Sequence, residues 1–166
     1  MDSKEREFEQ VVREHRSTIY TVCYMFSKDP DEANDLFQDT LVNLWQGFES
    51  FRGESKLGSW VWRVALNTCI SAERKKKRAG QRVPIEMATD LYADSDDDSK
   101  QIRQLYDRIG KLGVMDRALI LLWLDNMSYD DIAAIMGISV KNVSVRLVRI
   151  KQQLIEMSKN ECHGNK

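Results

Sequence analysis

No run of apolar residues in this chain approaches the roughly twenty needed to cross a bilayer. The opening stretch, MDSKEREFEQ, lacks the apolar core of a signal peptide. A cytoplasmic protein is therefore expected, with no direct membrane insertion. Cys23, Cys69 and Cys162 are odd in number and form no CxxC pair, and only His15 and His163 could join them as soft ligands. Neither a disulfide framework nor a metal site is expected, and reduced thiols suit a cytosolic compartment. The chain also lacks a glycine-rich phosphate loop, an HExxH helix and a nucleophile-elbow sequence. No enzyme activity and no cofactor are expected. Sustained period-two alternation, the mark of a half-buried strand, is missing as well. The fold class that remains is all-α.

A hydrophobic content of 42% and a charged content of 31% describe a soluble globular chain, long enough for one ordinary domain or two very small ones. The net charge of −1 argues at first against nucleic acid, but it hides a sharp pattern. Between Trp60 and Arg82 stand Arg63, Arg74, Lys75, Lys76, Lys77, Arg78 and Arg82 against the single acid Glu73. From Val83 to Asp98 stand Glu86, Asp90, Asp94, Asp96, Asp97 and Asp98 with no base at all. Such a reversal suggests two functional regions joined by a solvated linker.

Helical periodicity fills the rest. Phe8, Val11, Val12, His15, Ile19, Val22, Cys23 and Phe26 recur at three- and four-residue steps. Asp29-Pro30-Asp31-Glu32 is a helix start, with Asp29 as cap, Pro30 in the first turn and Glu32 closing a capping box. A second stripe follows in Ala33, Leu36, Phe37, Thr40, Leu41, Leu44, Trp45 and Phe48. Gly47, Gly53 and Gly58 mark a loop before a third helix opening near Ser59. Residues 81–100 show no periodicity and are expected as linker, which places a first domain at 1–80, a second at 101–160 and a tail at 161–166. The second domain should hold a stripe of Ile102, Leu105, Tyr106, Ile109 and Leu112, a nearly all-apolar buried helix from Ala118 to Leu124, and two short closing helices.

Those closing helices have helix-turn-helix spacing. Ser128 caps one, small Ala133 permits close approach, Gly137 turns the chain and Ser139 caps the next. In that arrangement the second helix enters the major groove of DNA. Val143, Leu147, Ile150 and Leu154 form its buried edge, which leaves Lys141, Asn142, Ser144, Val145, Arg146 and Arg149 outward, with Lys151 beyond. Arg and Asn suit bidentate contacts to guanine and adenine, and Lys neutralises phosphate. An ordinary helical hairpin with a charged solvated face is the plainer alternative.

The third helix carries another constellation. At 100° per residue, Trp60, Arg63, Asn67, Ser71, Arg74 and Arg78 fall within about 40° of one line, and Leu57, Val61, Val64, Ala65, Thr68 and Ala72 take the buried side. An aromatic plane, an amide and cations together suit unstacked bases: ring for stacking, amide for an edge, cations for the backbone. Taken singly, Trp60 and Trp62 are read foremost as packing residues, and the run from Lys75 to Arg78 as a solvated charge cluster.

The segments Asp31 to Thr40, Asn43-Leu44-Trp45, Phe51 to Ser55, Trp60 to Ala65 and Asn67-Thr68 resemble the sigma-2 domain of extracytoplasmic-function sigma factors. Leu124 to Met136 and the helix after it resemble the matching sigma-4 domain. Residues 5–80 and 102–156 are covered in the correct order. The resemblance implies a promoter-reading subunit of RNA polymerase. It assigns polymerase binding, at the β′ clamp helices, to Asp35, Leu36, Gln38, Asp39, Leu44 and Trp45; Asp31 and Glu32 are as readily explained by solvation and the helix dipole. It assigns recognition and melting of the −10 element to Phe51, Ser55, Lys56, Trp60, Arg63, Asn67, Arg74 and Arg78. The −35 element falls to Lys141, Asn142, Ser144, Val145, Arg146 and Arg149. Ser144-Val145 departs from a common family Arg-Ser pair, so the preferred −35 sequence does not carry over. Further implied partners are the β flap, promoter DNA and an anti-sigma factor. About twenty linker residues span at most about 65 Å, enough for a spacer of about 50 Å between two promoter elements. A stand-alone helix-turn-helix repressor or activator is the alternative; it would leave the Trp60–Asn67 stripe unexplained.

Overall fold

The structure, a computed structural model, describes residues 2–51, 53, 56–79 and 97–164. Seven helices and no strand occur among them: α1 (Ser3–Met25), α2 (Pro30–Phe48), α3 (Leu57–Arg78), α4 (Asp97–Gly110), α5 (Val114–Leu124), α6 (Tyr129–Met136) and α7 (Val140–Gly164). The all-α expectation holds. The chain divides into two compact units, Met1–Glu86 and Met87–Lys166.

In the first unit α1, α2 and α3 pack mutually around Ile19, Val22, Cys23, Ala33, Leu36, Leu44, Val61, Trp62, Ala65, Leu66 and Cys69. The start of α2 follows its local chemistry. Asp29 Oδ1 accepts the Glu32 N–H at 2.8 Å, and Pro30 occupies the first turn, where its missing N–H costs nothing. The other half of the expected capping box is replaced. Glu32, half-buried, pairs with Lys76 near the end of α3 and ties the two helices together. Burial and the neighbouring Lys28 hold the Lys76 ammonium below the usual lysine range.

The glycines expected in a loop fall differently. Gly47 lies inside α2, and an added Cβ there would come within 3.2 Å of Trp60 Cζ2. Trp60 therefore rests where α2 has no side chain, and the helix accepts glycine's entropic cost for that close approach. Gly58 lies in α3, and of the three only Gly53 adopts positive φ, at 73°.

Cys23 and Cys69 are buried neighbours in this core, whereas Cys162 is exposed. The adjacent Cys23 thiol and burial together push the Cys69 thiol well above the ordinary range. Thiolate is the reactive form, so Cys69 should stay inert. The Cys69 hydrogen bond holds the Cys23 thiol below the ordinary range, but Cys23 is fully enclosed and out of a reagent's reach while the fold is closed. Titration of the native chain with a chromogenic disulfide reagent should show one rapid equivalent, and three in denaturant.

In the second unit α5 is the central buried helix, with Arg117 to Leu122 enclosed. Ile109, Leu112, Ile132, Val143, Leu147 and Ile150 complete the core around it. The Ser128 hydroxyl accepts the Asp131 N–H at 3.1 Å, Gly137 takes φ 71°, and the Ser139 hydroxyl accepts the Asn142 N–H at 3.1 Å. Cap, left-handed turn and second cap thus stand in the expected order. Three boundaries differ from expectation. Residues 97–100, expected as linker, are the first turn of α4. The closing helix is 25 residues long rather than short. It also absorbs residues 161–164 of the expected tail, because Arg108 Nε and Nη2 donate to Glu161 Oε2 at 3.1 and 2.9 Å.

Candidate nucleic-acid interface

On α3 the buried arc is centred on Trp62, Ala65, Leu66 and Cys69. The expected buried side is only partly right: Val61 and Ala65 are enclosed, but Val64, Thr68 and Ala72 are half-buried. They become the wall of a groove between α2 and α3. Its volume is about 700 Å³, and Asp39, Val42, Asn43, Asn67, Ser71 and Lys75 complete its lining. The floor is fixed by a short relay. Asn43 Nδ2 donates to Thr68 Oγ1 at 2.9 Å, and that hydroxyl donates to the Val64 carbonyl at 2.8 Å. An exposed amide at Asn67 and an ammonium at Lys75 thereby flank an apolar wall, with a carboxylate from α2 opposite.

The predicted stripe is a surface feature along its length. Arg63 is half-buried, while Asn67, Ser71, Arg74 and Arg78 are exposed. Trp60 is half-buried in an aromatic cluster, its ring 5.0 Å from Phe51 and 6.4 Å from Phe48; Phe8 lies 5.5 Å from Phe48 and 5.0 Å from Trp45. Phe51 and Trp60 therefore form a continuous aromatic surface where the loop meets α3, with exposed Lys56 just before the helix. Ser55 lies outside the described residues. The basic run is not uniform: Lys75, Lys77 and Arg78 face solvent, whereas Lys76 turns inward to Glu32.

The residues expected to face the polymerase separate into two groups. Asp35, Gln38 and Asp39 are exposed, and Trp45 is 38% exposed beneath the Lys4 ammonium, 4.6 Å from its ring. Leu36 and Leu44 are not surface residues. They are 5% and 0% exposed and face the core, because they share the apolar stripe that packs α2 against its neighbours. The apolar residue exposed on that side of α2 is instead Val42, 53% exposed and one turn from Asp39. Sequence reasoning missed Val42, Asn43 and Lys75. The signal available for Val42 was its position off the apolar stripe.

On α7 all six predicted readers lie at the surface: Lys141, Asn142, Ser144, Val145 and Arg149 exposed, Arg146 half-buried. None of the side chains of Lys141, Asn142, Arg146 and Arg149 has a partner among the described residues. Lys151 is withdrawn from this face; its ammonium lies 4.0 Å from the Trp123 ring, covering α5. Val148, at 64% exposure, joins the outward face unpredicted.

These two surfaces match known regions in the same order. Family models for Sigma-70 region 2 and for Sigma-70, region 4 match residues 11–79 and 102–154. The chain belongs to the extracytoplasmic-function group of the sigma-70 family. Among relatives of this sigma factor, the RNA polymerase sigma factor SigV of Bacillus subtilis is 22% identical over 152 residues, covering 90% of each chain. The ECF RNA polymerase sigma factor SigG of Mycobacterium tuberculosis is 32% identical over 77 residues; the match covers 46% of this chain and only 21% of that relative's length. A solved structure of the sigma factor RpoE in complex with the anti-sigma factor NepR, from Bartonella quintana, superimposes with a TM-score of 0.77 at 25% identity. The superposition covers 93% of this chain and 98% of that one. No helix among the described residues of this sigma factor is long and apolar enough to cross a membrane.

Proposed function

We propose that this sigma factor directs core RNA polymerase to promoters and helps open the −10 element, without a catalytic step of its own, in the cytoplasm. One observation carries the reading. The exposed face of α3 brings Arg63, Asn67, Ser71, Arg74 and Arg78 beside a groove whose opposite wall is the acidic edge of α2. A duplex-binding repressor has no use for that pairing, since bases within a closed duplex do not reach such a groove.

Asp35, Gln38, Asp39, Val42 and Trp45 form the edge offered to the β′ clamp helices, exposed acids beside an apolar strip complementing a basic helical partner. The surface from Phe51 and Lys56 through Trp60 to Asn67 receives unpaired −10 bases, and Arg74, Lys75 and Arg78 follow the strand backbone. Extracting a base costs about a few kcal/mol of stacking and pairing, offset here by aromatic surface and cations rather than nucleotide hydrolysis. The outward face of α7 lies in the −35 major groove, and the second unit also meets the β flap. An anti-sigma factor is proposed as a further partner, by analogy with the partner-bound RpoE structure.

Reconstituted transcription from core polymerase and this chain tests the reading. A specific transcript is expected. Asn67→Ala should lower open-complex yield about tenfold while leaving core binding unchanged, and Arg149→Ala should lower promoter binding by a similar factor. Tight binding to duplex operators by the free chain, with no association to core enzyme, would favour the repressor instead.

A further inference from the structure

At 100° per residue, Val145 stands about 140–160° from each of the buried residues Val143, Leu147 and Ile150. It is thus the centre of the outward face of α7, and it is 49% exposed. Lys141 and Arg149 flank it about 40° to either side, and Val148 and Asn142 about 60° to either side. Val148 is the more exposed valine, at 64%. The middle of this face is therefore apolar, with the donors Lys141, Asn142 and Arg149 around it.

An apolar centre constrains what lies opposite. The base edges of the major groove present acceptors, amino donors and one apolar group, the thymine C5-methyl. A valine pressed against a cytosine amino group or a guanine O6 desolvates that group and returns no hydrogen bond. Against a methyl, both surfaces leave water together. Side chains three residues apart on a helix stand about 5–6 Å from each other at Cβ. Stacked base pairs rise about 3.4 Å, so the valine pair covers between one and two steps.

We propose that Val145 and Val148 read thymine methyl groups, so that the −35 element of this sigma factor carries two thymines no more than two base steps apart, bordered by pairs contacted through Asn142 and Arg149. The inference rests on the assignment of α7 to the −35 duplex and adds which bases it selects. Surface exposure of a valine alone does not argue for a ligand. The charge complementarity of the surrounding cations to DNA, and the position of Val145 opposite the buried seam, are what commit this face to the groove.

The test begins with a duplex selected from a randomised −35 pool by the full chain in complex with core polymerase. Each thymine of the selected element is then replaced in turn by deoxyuridine, which lacks only the methyl. At one or two positions binding should weaken about fourfold, the effect of one buried methyl. Val145→Ala and Val148→Ala, both at exposed sites and checked for unchanged thermal unfolding, should each bring the thymine-to-uracil ratio close to one at their own position. Uracil that is neutral everywhere overturns the inference, as does a selected element without thymine or a ratio that survives both substitutions. If Arg149→Ala still weakens binding in those cases, the assignment of α7 stands and only methyl reading fails. Selection of no duplex sequence at all overturns the assignment and the inference together.

Discussion

Replacing Leu44 by alanine is expected to destabilise the amino-terminal unit by about 3 kcal/mol, without specifically weakening the docking edge. The side chain is fully enclosed, and removing it forfeits transfer free energy and leaves a cavity that the three packed helices only partly close. The family resemblance placed Leu44 against the polymerase, and that assignment predicts the opposite pattern: weaker association with an unchanged fold. Chemical denaturation followed by helical circular dichroism, beside a core-enzyme binding titration, separates the two. Trp45→Ala is the internal contrast. Its ring is partly exposed, so its effect should fall mainly on binding and less on stability. Equal association constants for folded Leu44→Ala and the parent chain are the expected result. A binding defect at full helicity would return Leu44 to the interface.

Arg117→Met should cost the carboxy-terminal unit about 3 kcal/mol. Arg117 is 3% exposed at the start of α5, and its Nη2 donates to the carbonyls of Gly110 and Leu112, at 3.1 and 3.0 Å. Those carbonyls end α4 and form the turn into α5, where the helical ladder supplies no donor. Methionine fills much of the volume but leaves two buried acceptors without these bonds. A hydrogen bond from a charged donor contributes about 1.5–3 kcal/mol, and an abandoned buried acceptor costs a comparable amount. Amide hydrogen exchange reports the two units separately in one chain. Protection should fall by more than a hundredfold across α5 and α7, while the amides of α1 to α3 serve as an unchanged reference. Loss confined to the turn between α4 and α5 would mean that Arg117 closes only that turn and does not support the unit.

What was legible in the sequence was mostly local chemistry. Asp29-Pro30, Ser128, Gly137 and Ser139 each act on neighbours within a few residues, and each appears in the structure as its own spacing requires. The outward face of α7 was legible for the same reason: one apolar seam leaves one opposite face. Helix α3 was harder because it has apolar residues around most of its circumference. Periodicity alone could not choose between an arc through Val64 and Thr68 and one through Trp62, Leu66 and Cys69. The choice depends on how α1 and α2 seat against it. The same dependence hid the groove, which exists only once the rotations of α2 and α3 are both set. Gly47 reads as a loop signal until Trp60 is seen lying across it. The length of α7 was illegible because its last turns are secured by Arg108, 53 residues earlier in the chain.

The Asn43–Thr68 hydrogen bond has a consequence for inhibition. It holds Asp39 and Asn67 as two rims of one trough, so a body seated on either rim overhangs the other. On the proposed assignment, engagement with the enzyme and capture of the opened strand would use the two sides of this one trough. A single short antagonist helix laid along that trough would silence both steps at once, by mutual exclusion.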